Sequence, residues 1–384
     1  MKNKLLLSSA LVGSLAITGV ASAQTTITGS LDLSYKTISN AGALTKQTDS
    51  GFGRESQINI ANKGKLSNGM DYAAGFSLEF DGKSGAAMSL SNTSQTAGSS
   101  AQSNIQRISR ENMYIDVLSG KTTFSVGMDH LNNMSFSSAP RVAQNASTTA
   151  ASAQLITTSD GDVSASDTSG GVAYQFYPGA AALGSSNFMG LGVQQVTPFG
   201  TITGQYFPKA SAQQASNDGV ARTAVKDAYE LHYRGDLGVK GLSANIGYNV
   251  INHATASATQ SEKQKGTAYG LGYNFGQFAI GAQINKTDNG VTGASTAKVD
   301  TKSTELGATF AATKDISLGI THVKTEGTIR QTTAMATDEK IVSGTIGYNL
   351  GAVTLSATYG EIQDARGVRG NDSDIVLIRA GTRF

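Results

Sequence analysis

The chain has 384 residues, of which 39% are apolar, with 45 glycines, no cysteine and no tryptophan. Without cysteine, no disulfide framework can stabilise an exported fold, and so low an apolar share supplies too little core for a soluble domain of this length. Lys and Arg total 30 against 28 Asp and Glu, so no basic excess points to a nucleic-acid partner.

The N-terminal segment reads as a secretory leader. Met1 to Lys4 is basic, and Leu5 to Val20 is apolar but interrupted by Ser8, Ser9, Ser14 and Thr18. Ala21-Ser22-Ala23 places small residues where a signal peptidase reads. A spanning helix needs roughly 20 largely apolar residues, so cleavage after Ala23 is expected, with a mature domain over 24–384. Loss of Lys2 and Lys4 leaves 28 basic residues against 28 acidic ones.

Beyond the leader, no segment approaches 18 continuous apolar residues, the length of a helical span. Period-2 alternation recurs instead, broken by Gly/Asn/Ser/Asp-rich stretches. Ile27, Leu31, Leu33 and Tyr35 alternate with Thr26, Thr28, Ser30, Asp32 and Ser34. Met70, Tyr72, Ala74, Phe76, Leu78 and Phe80 share one face; Asp71, Ser77 and Glu79 share the other. Further strands follow over Arg110 to Met128, Asn187 to Val196, Thr201 to Phe207 and Val225 to Arg234. Later segments carry Leu242 to Val250, Thr267 to Phe275, Phe278 to Ile284, Leu306 to Phe310 and Ile316 to Ile320. Val342 to Leu350, Val353 to Tyr359 and Val376 to Phe384 complete the series. Disorder does not fit aromatics at regular offsets with low charge.

The connections alternate in length. Gly64 to Gly69, Leu118 to Lys121, Gly276-Gln277, Thr313 to Asp315 and Gly351-Ala352 are short. Thr37 to Gly53, Asp81 to Asn104, Ala254 to Lys265, Lys286 to Thr301 and Glu326 to Glu339 are long and polar. Short turns at one end and long loops at the other suit a barrel in an outer membrane. In hydrocarbon every backbone N–H and C=O needs an internal partner, which strands provide only when the sheet closes. The fold class expected is therefore all-β: a transmembrane antiparallel β-barrel of about sixteen strands of about 9–11 residues each, wide enough to keep an aqueous channel. Tyr35, Tyr233, Tyr248, Tyr273 and Tyr348 near strand ends would supply an aromatic girdle.

Several elements, in order along the mature chain, resemble the general bacterial trimeric outer-membrane porin family. They are Thr26-Ile27-Thr28-Gly29-Ser30-Leu31-Asp32, the hairpin Gly64 to Tyr72, the stretch Arg110 to Met128 around Ser119-Gly120-Lys121, and the end Arg379-Ala380-Gly381-Thr382-Arg383-Phe384. The resemblance implies passive diffusion of small hydrophilic solutes and ions through a homotrimer in outer-membrane lipid, with no cofactor. It also implies that the long loop after the fifth strand constricts the lumen. That loop, His130 to about Ser186, carries Asp160, Asp162 and Asp167, which would face basic residues on the wall. By parity, inward bases are Lys36, Arg110, Arg234 and Arg379, with Arg383 near the periplasmic end. Arg54 and Arg107 fall on the lipid-facing parity, where a bulge could turn them inward. Gly171 to Tyr177 also has strand pattern and is assigned to the loop.

Enzyme chemistry lacks its residues. The four histidines, His130, His232, His253 and His322, are scattered, no G-x-S-x-G elbow occurs, and no metal-ligand spacing stands out. Gly270 to Gly276 has the wrong spacing for a nucleotide loop and lies in an alternating strand. Two other classes stay open: a substrate-specific channel, and a surface-binding or adhesin β protein, which would show a short repeat.

Overall fold

A computed structural model describes residues 23–40, 48–81, 108–128, 189–208, 225–253, 263–288, 301–327, 337–364, 369–370 and 372–384. All regular structure among them is strand. In chain order these are β1 (Gln24–Asn40), β2 (Thr48–Lys65), β3 (Asp71–Asp81), β4 (Ile108–Ser119), β5 (Thr122–Met128), β6 (Met189–Thr197), β7 (Gly200–Pro208) and β8 (Val225–Gly235). They continue as β9 (Leu242–His253), β10 (Lys263–Phe275), β11 (Phe278–Asp288), β12 (Thr301–Ala311), β13 (Ile316–Gly327), β14 (Glu339–Asn349), β15 (Val353–Gln363) and β16 (Ser373–Arg383). Each strand pairs antiparallel with its sequence neighbours, and β1 pairs with β16, so the sheet is a closed barrel.

Closure is what lets so apolar-poor a chain form a stable sheet, since no edge is left with unpaired backbone groups. The seam is finished by the last residue. Gly29 N–H donates to the Phe384 carbonyl at 2.6 Å, and Phe384 N–H donates to the Gly29 carbonyl at 3.0 Å. The Phe384 ring lies over Gly29, where an added Cβ would overlap it.

Connections at one end are short. Phe275 pairs with Phe278 around the two-residue turn Gly276-Gln277, and Gly276 takes φ +65°, a left-handed conformation that costs glycine nothing. The opposite end joins strands through the longer segments. There β1 and β2 run further than alternation suggested: pairing continues to Ser39 and Thr48, inside the stretch expected to be loop.

Side-chain alternation separates two faces. Ile27, Leu33, Ile115, Leu231, Ile246, Leu271, Ile280, Leu306, Ile320 and Ile346 point outward and are exposed, forming an apolar belt. Aromatic rings border it at the short-turn end, where Tyr273, Phe275, Phe278 and Phe310 stack in sequence with centroids 6.1, 5.8 and 4.6 Å apart. Tyr233 on β8 and Tyr348 on β14 lie at the same end. Most of the large side chains on the inward face are polar, among them Thr203, Gln205, Glu230, Asn245, Gln283, Glu305 and Thr345.

Strand β5 pairs directly with β6, Met128 opposite Met189. The barrel thus closes without Gly171 to Tyr177, which lies outside the described residues.

Candidate functional site

The inner wall has two sectors. Along β16, β1 and β2 the inward side chains are partly accessible: Thr28, Ser30 and Asp32 on β1, Gln57 and Asn59 on β2, and Arg379 on β16. Register builds this strip. Ser30 stands opposite Gln57, Thr28 opposite Asn59, and Ser34 opposite Arg379. Asp32 faces Gly381, where a Cβ would overlap the carboxylate, so glycine leaves room for the acid. The Arg379 guanidinium lies 3.8 Å from Asp32 Oδ1, with side chains 19% and 36% exposed. At that distance the contact is an ion pair rather than a hydrogen bond, and both groups stay available to solutes and water.

From β7 to β15, and at Ser373, Ile375 and Leu377 on β16, most inward side chains are buried. Cross-strand polar pairs tie this sector together. Ser303 and Thr325 hydroxyls are 2.9 Å apart, as are those of Thr345 and Thr358. Asn245 Nδ2 donates to Gln283 Oε1 at 3.5 Å; within β8, His232 Nδ1 lies 3.1 Å from Glu230 Oε1. Beside these, Val323, Ile341 and Ile362 form an inward row across β13, β14 and β15, with Ile375 and Leu377 on β16 and Phe207 on β7. The alternation read from sequence did not mark this inward apolar row. Its signal was present: Ile375-Val376-Leu377-Ile378 is apolar without a break, the pattern of a strand buried on both faces.

The residues chosen from sequence fall at separate places. Lys36 is in β1 opposite Leu377, which points inward; Arg379 lies on the adjacent strand. Arg234 is half-buried on β8, one residue from its short-turn end, and β8 lies across the closed barrel from β16. Arg110 lies beyond a register shift at Gly75/Ser77, which pairs Arg110 with the outward-parity Leu78 and Glu111 with the inward Ser77. Alternation counted from Asp116 back to Arg110 crosses that shift, so the inward parity read for Arg110 from sequence does not carry over. The side chains of Lys36, Arg54 and Arg110, and the whole of Arg107, Asp160, Asp162 and Asp167, lie outside the described residues. Arg383 is exposed at the short-turn rim opposite Ser30.

The histidines do not converge. His232 is buried beside Glu230, His322 faces outward between Leu306 and Val342, and His253 ends β9. His130 lies outside the described residues. No group of three or more His, Asp or Glu among the described residues could hold a metal ion.

A closed antiparallel barrel with an apolar outer belt and a polar inner wall defines the class: a transmembrane β-barrel channel. The chain belongs to the Gram-negative porin family, whose model matches residues 8–374. Family and fold are those of outer-membrane channel proteins that pass solutes by passive diffusion. The fold is similar to an anion-selective porin from Comamonas acidovorans, at TM-score 0.57 and 12% identity over 94% of this chain and 100% of that one. It is also similar to a loop-deletion mutant of OmpT, an outer membrane protein of Vibrio cholerae (TM-score 0.57, 12% identity, 94% and 99% coverage). OmpF of Salmonella typhi, solved with daunomycin, matches at TM-score 0.57 and 11% identity over 94% and 98%. No curated protein sequence matches the chain.

Proposed function

We propose that the mature chain, after removal of residues 1–23, assembles as a homotrimer of general diffusion channels for small hydrophilic solutes and ions. The segment between β5 and β6 narrows each lumen. Asp160, Asp162 and Asp167 supply its negative side. Lys36 and Arg379, on neighbouring strands, supply the principal positive side; Arg234 at the rim and Arg110 beyond its register shift add less. Supporting this reading is the length of the connection, from Met128 to Met189, far longer than any other in the barrel. The partial exposure of the Asp32–Arg379 pair supports a wall whose charged groups meet water. Charges in a narrow aqueous passage set ion selectivity.

The test replaces Asp160, Asp162 and Asp167 together by Asn and measures reversal potentials across a salt gradient in a planar bilayer. Selectivity is expected to move towards anions. Unchanged reversal potentials would remove these acids from the constriction. A channel dedicated to one substrate would instead show saturating, solute-specific block of the ion current.

A further inference from the structure

Six lysines stand on the outer face of five consecutive strands. They are Lys263 and Lys265 on β10, Lys286 on β11, Lys302 on β12, Lys324 on β13 and Lys340 on β14. Each shares its strand's outward parity with an exposed apolar residue, as Lys302 does with Leu306 and Lys340 with Val342. Five of them also share one height. Lys265, Lys286, Lys302, Lys324 and Lys340 lie eight residues along their strands from Tyr273, Phe278, Phe310, Ile316 and Tyr348, at the short-turn end. Eight residues at about 3.3 Å each, on strands tilted about 40°, rise roughly 20 Å. The apolar band of such barrels is about 25 Å tall. Lysine stems can lie along the apolar surface and lift their ammonium groups to its upper edge.

The register makes this row costly by itself. Lys286 stands opposite Lys302, and Lys324 opposite Lys340. Like charges directly opposed across strands destabilise a sheet. Glu326 relieves the middle: its carboxylate lies 3.1 Å from Lys302 Nζ and 2.7 Å from Lys324 Nζ, and Asp338 lies 2.9 Å from Lys324. Among the described residues, neither Lys286 nor Lys340 has an acidic partner. Beyond β14 the character changes: Glu361 and Asp374 face outward and accept hydrogen bonds from the Tyr359 hydroxyl. Among the described side chains, the outward lysine row thus ends at β14.

We propose that this row binds the phosphate groups of a phosphorylated lipid of the outer leaflet, one headgroup bridging Lys286 and Lys302 and another reaching Lys340 beside Lys324. The proposal rests on the barrel's lying in a Gram-negative outer membrane. Anionic headgroups lie at the height of the ammonium groups, and such lipids are held by basic clusters at a membrane surface.

The test titrates the purified full-length protein in detergent with lipid A carrying both phosphates and with its phosphate-free counterpart, reading bound lipid by native mass spectrometry. Channel conductance is measured in parallel. A Lys286→Gln/Lys340→Gln variant is expected to bind lipid A roughly 30-fold more weakly and to keep its conductance, because both residues lie outside the lumen. Binding as tight as the unmodified chain's, or equal binding of the phosphate-free lipid, overturns the proposal. So does displacement of lipid A by an equal concentration of inorganic phosphate, which would mark a free-ion site. If the variant loses conductance as well, Lys286→Arg/Lys340→Arg decides: retained lipid A binding supports the proposal, and lost binding with intact conductance overturns it. Absent conductance in the unmodified chain would instead count against the channel itself.

Discussion

Placing a charge on the apolar belt tests which face meets lipid. Leu306 is suited to this, lying four residues from Phe310 at one edge and four from Lys302 at the other. That puts it about 10 Å from either edge of the band, near the midplane and beyond the easy reach of a snorkelling arginine. Its cross-strand neighbours are Ala282 and His322, and its side chain is 51% exposed on the outer face. Arginine at the midplane of such a barrel costs about 2–4 kcal/mol. Losing the outward half of a leucine's apolar contact adds about 1 kcal/mol. Leu306→Arg is therefore expected to lower stability in lipid by about 3–5 kcal/mol. Thr28→Arg, on the accessible inner strip, should cost under about 1 kcal/mol. Reversible urea unfolding in phospholipid vesicles, followed by gel mobility and tryptophan-free circular dichroism, measures both. A tolerated Leu306→Arg together with a strongly destabilising Thr28→Arg would mean that inside and outside have been exchanged.

Other substitutions probe particular contacts. Gly29→Val forces a side chain into the Phe384 ring and towards the Gln57 carbonyl; overpacking of this kind costs about 1–3 kcal/mol, seen as a lower temperature for loss of the compact gel form. Asp32→Asn removes half of a partly exposed ion pair with Arg379, so stability should fall by no more than about 1 kcal/mol while bilayer reversal potentials move towards anion preference. Glu230→Ala deletes the acceptor beside His232 in the buried sector, and urea titration should show a loss of about 1–3 kcal/mol.

Strands with one greasy and one polar side announce themselves, which is why β3 and β8 to β15 were legible as alternating runs such as Tyr229, Leu231 and Tyr233. Facing depends only on counting by two, so it fails wherever the count is interrupted. The register shift between Gly75 and Ser77 inserts a residue in β4 that no composition signal marks, and Arg110 lies beyond it. Gly171 to Tyr177 has the alternation of a strand, yet the barrel closes from β5 to β6 without it. Contacts between distant strands were hidden for another reason. Asp32 meets Arg379 only through the β1–β16 pairing that closes the barrel, and Lys286 meets Lys302 only through the register of β11 against β12. Lys36 and Arg234 could be given an inward parity from sequence, but not the knowledge that β1 and β8 stand on different sides of the lumen.

Single-channel recording in a planar lipid bilayer bears most directly on the assignment of a solute-filled interior enclosed by an apolar belt. Insertion of the purified protein should give discrete, voltage-independent current steps at low potential that scale with electrolyte concentration. A protein that folds and inserts with unmodified stability yet carries no current at any applied voltage would contradict an open passage through this barrel.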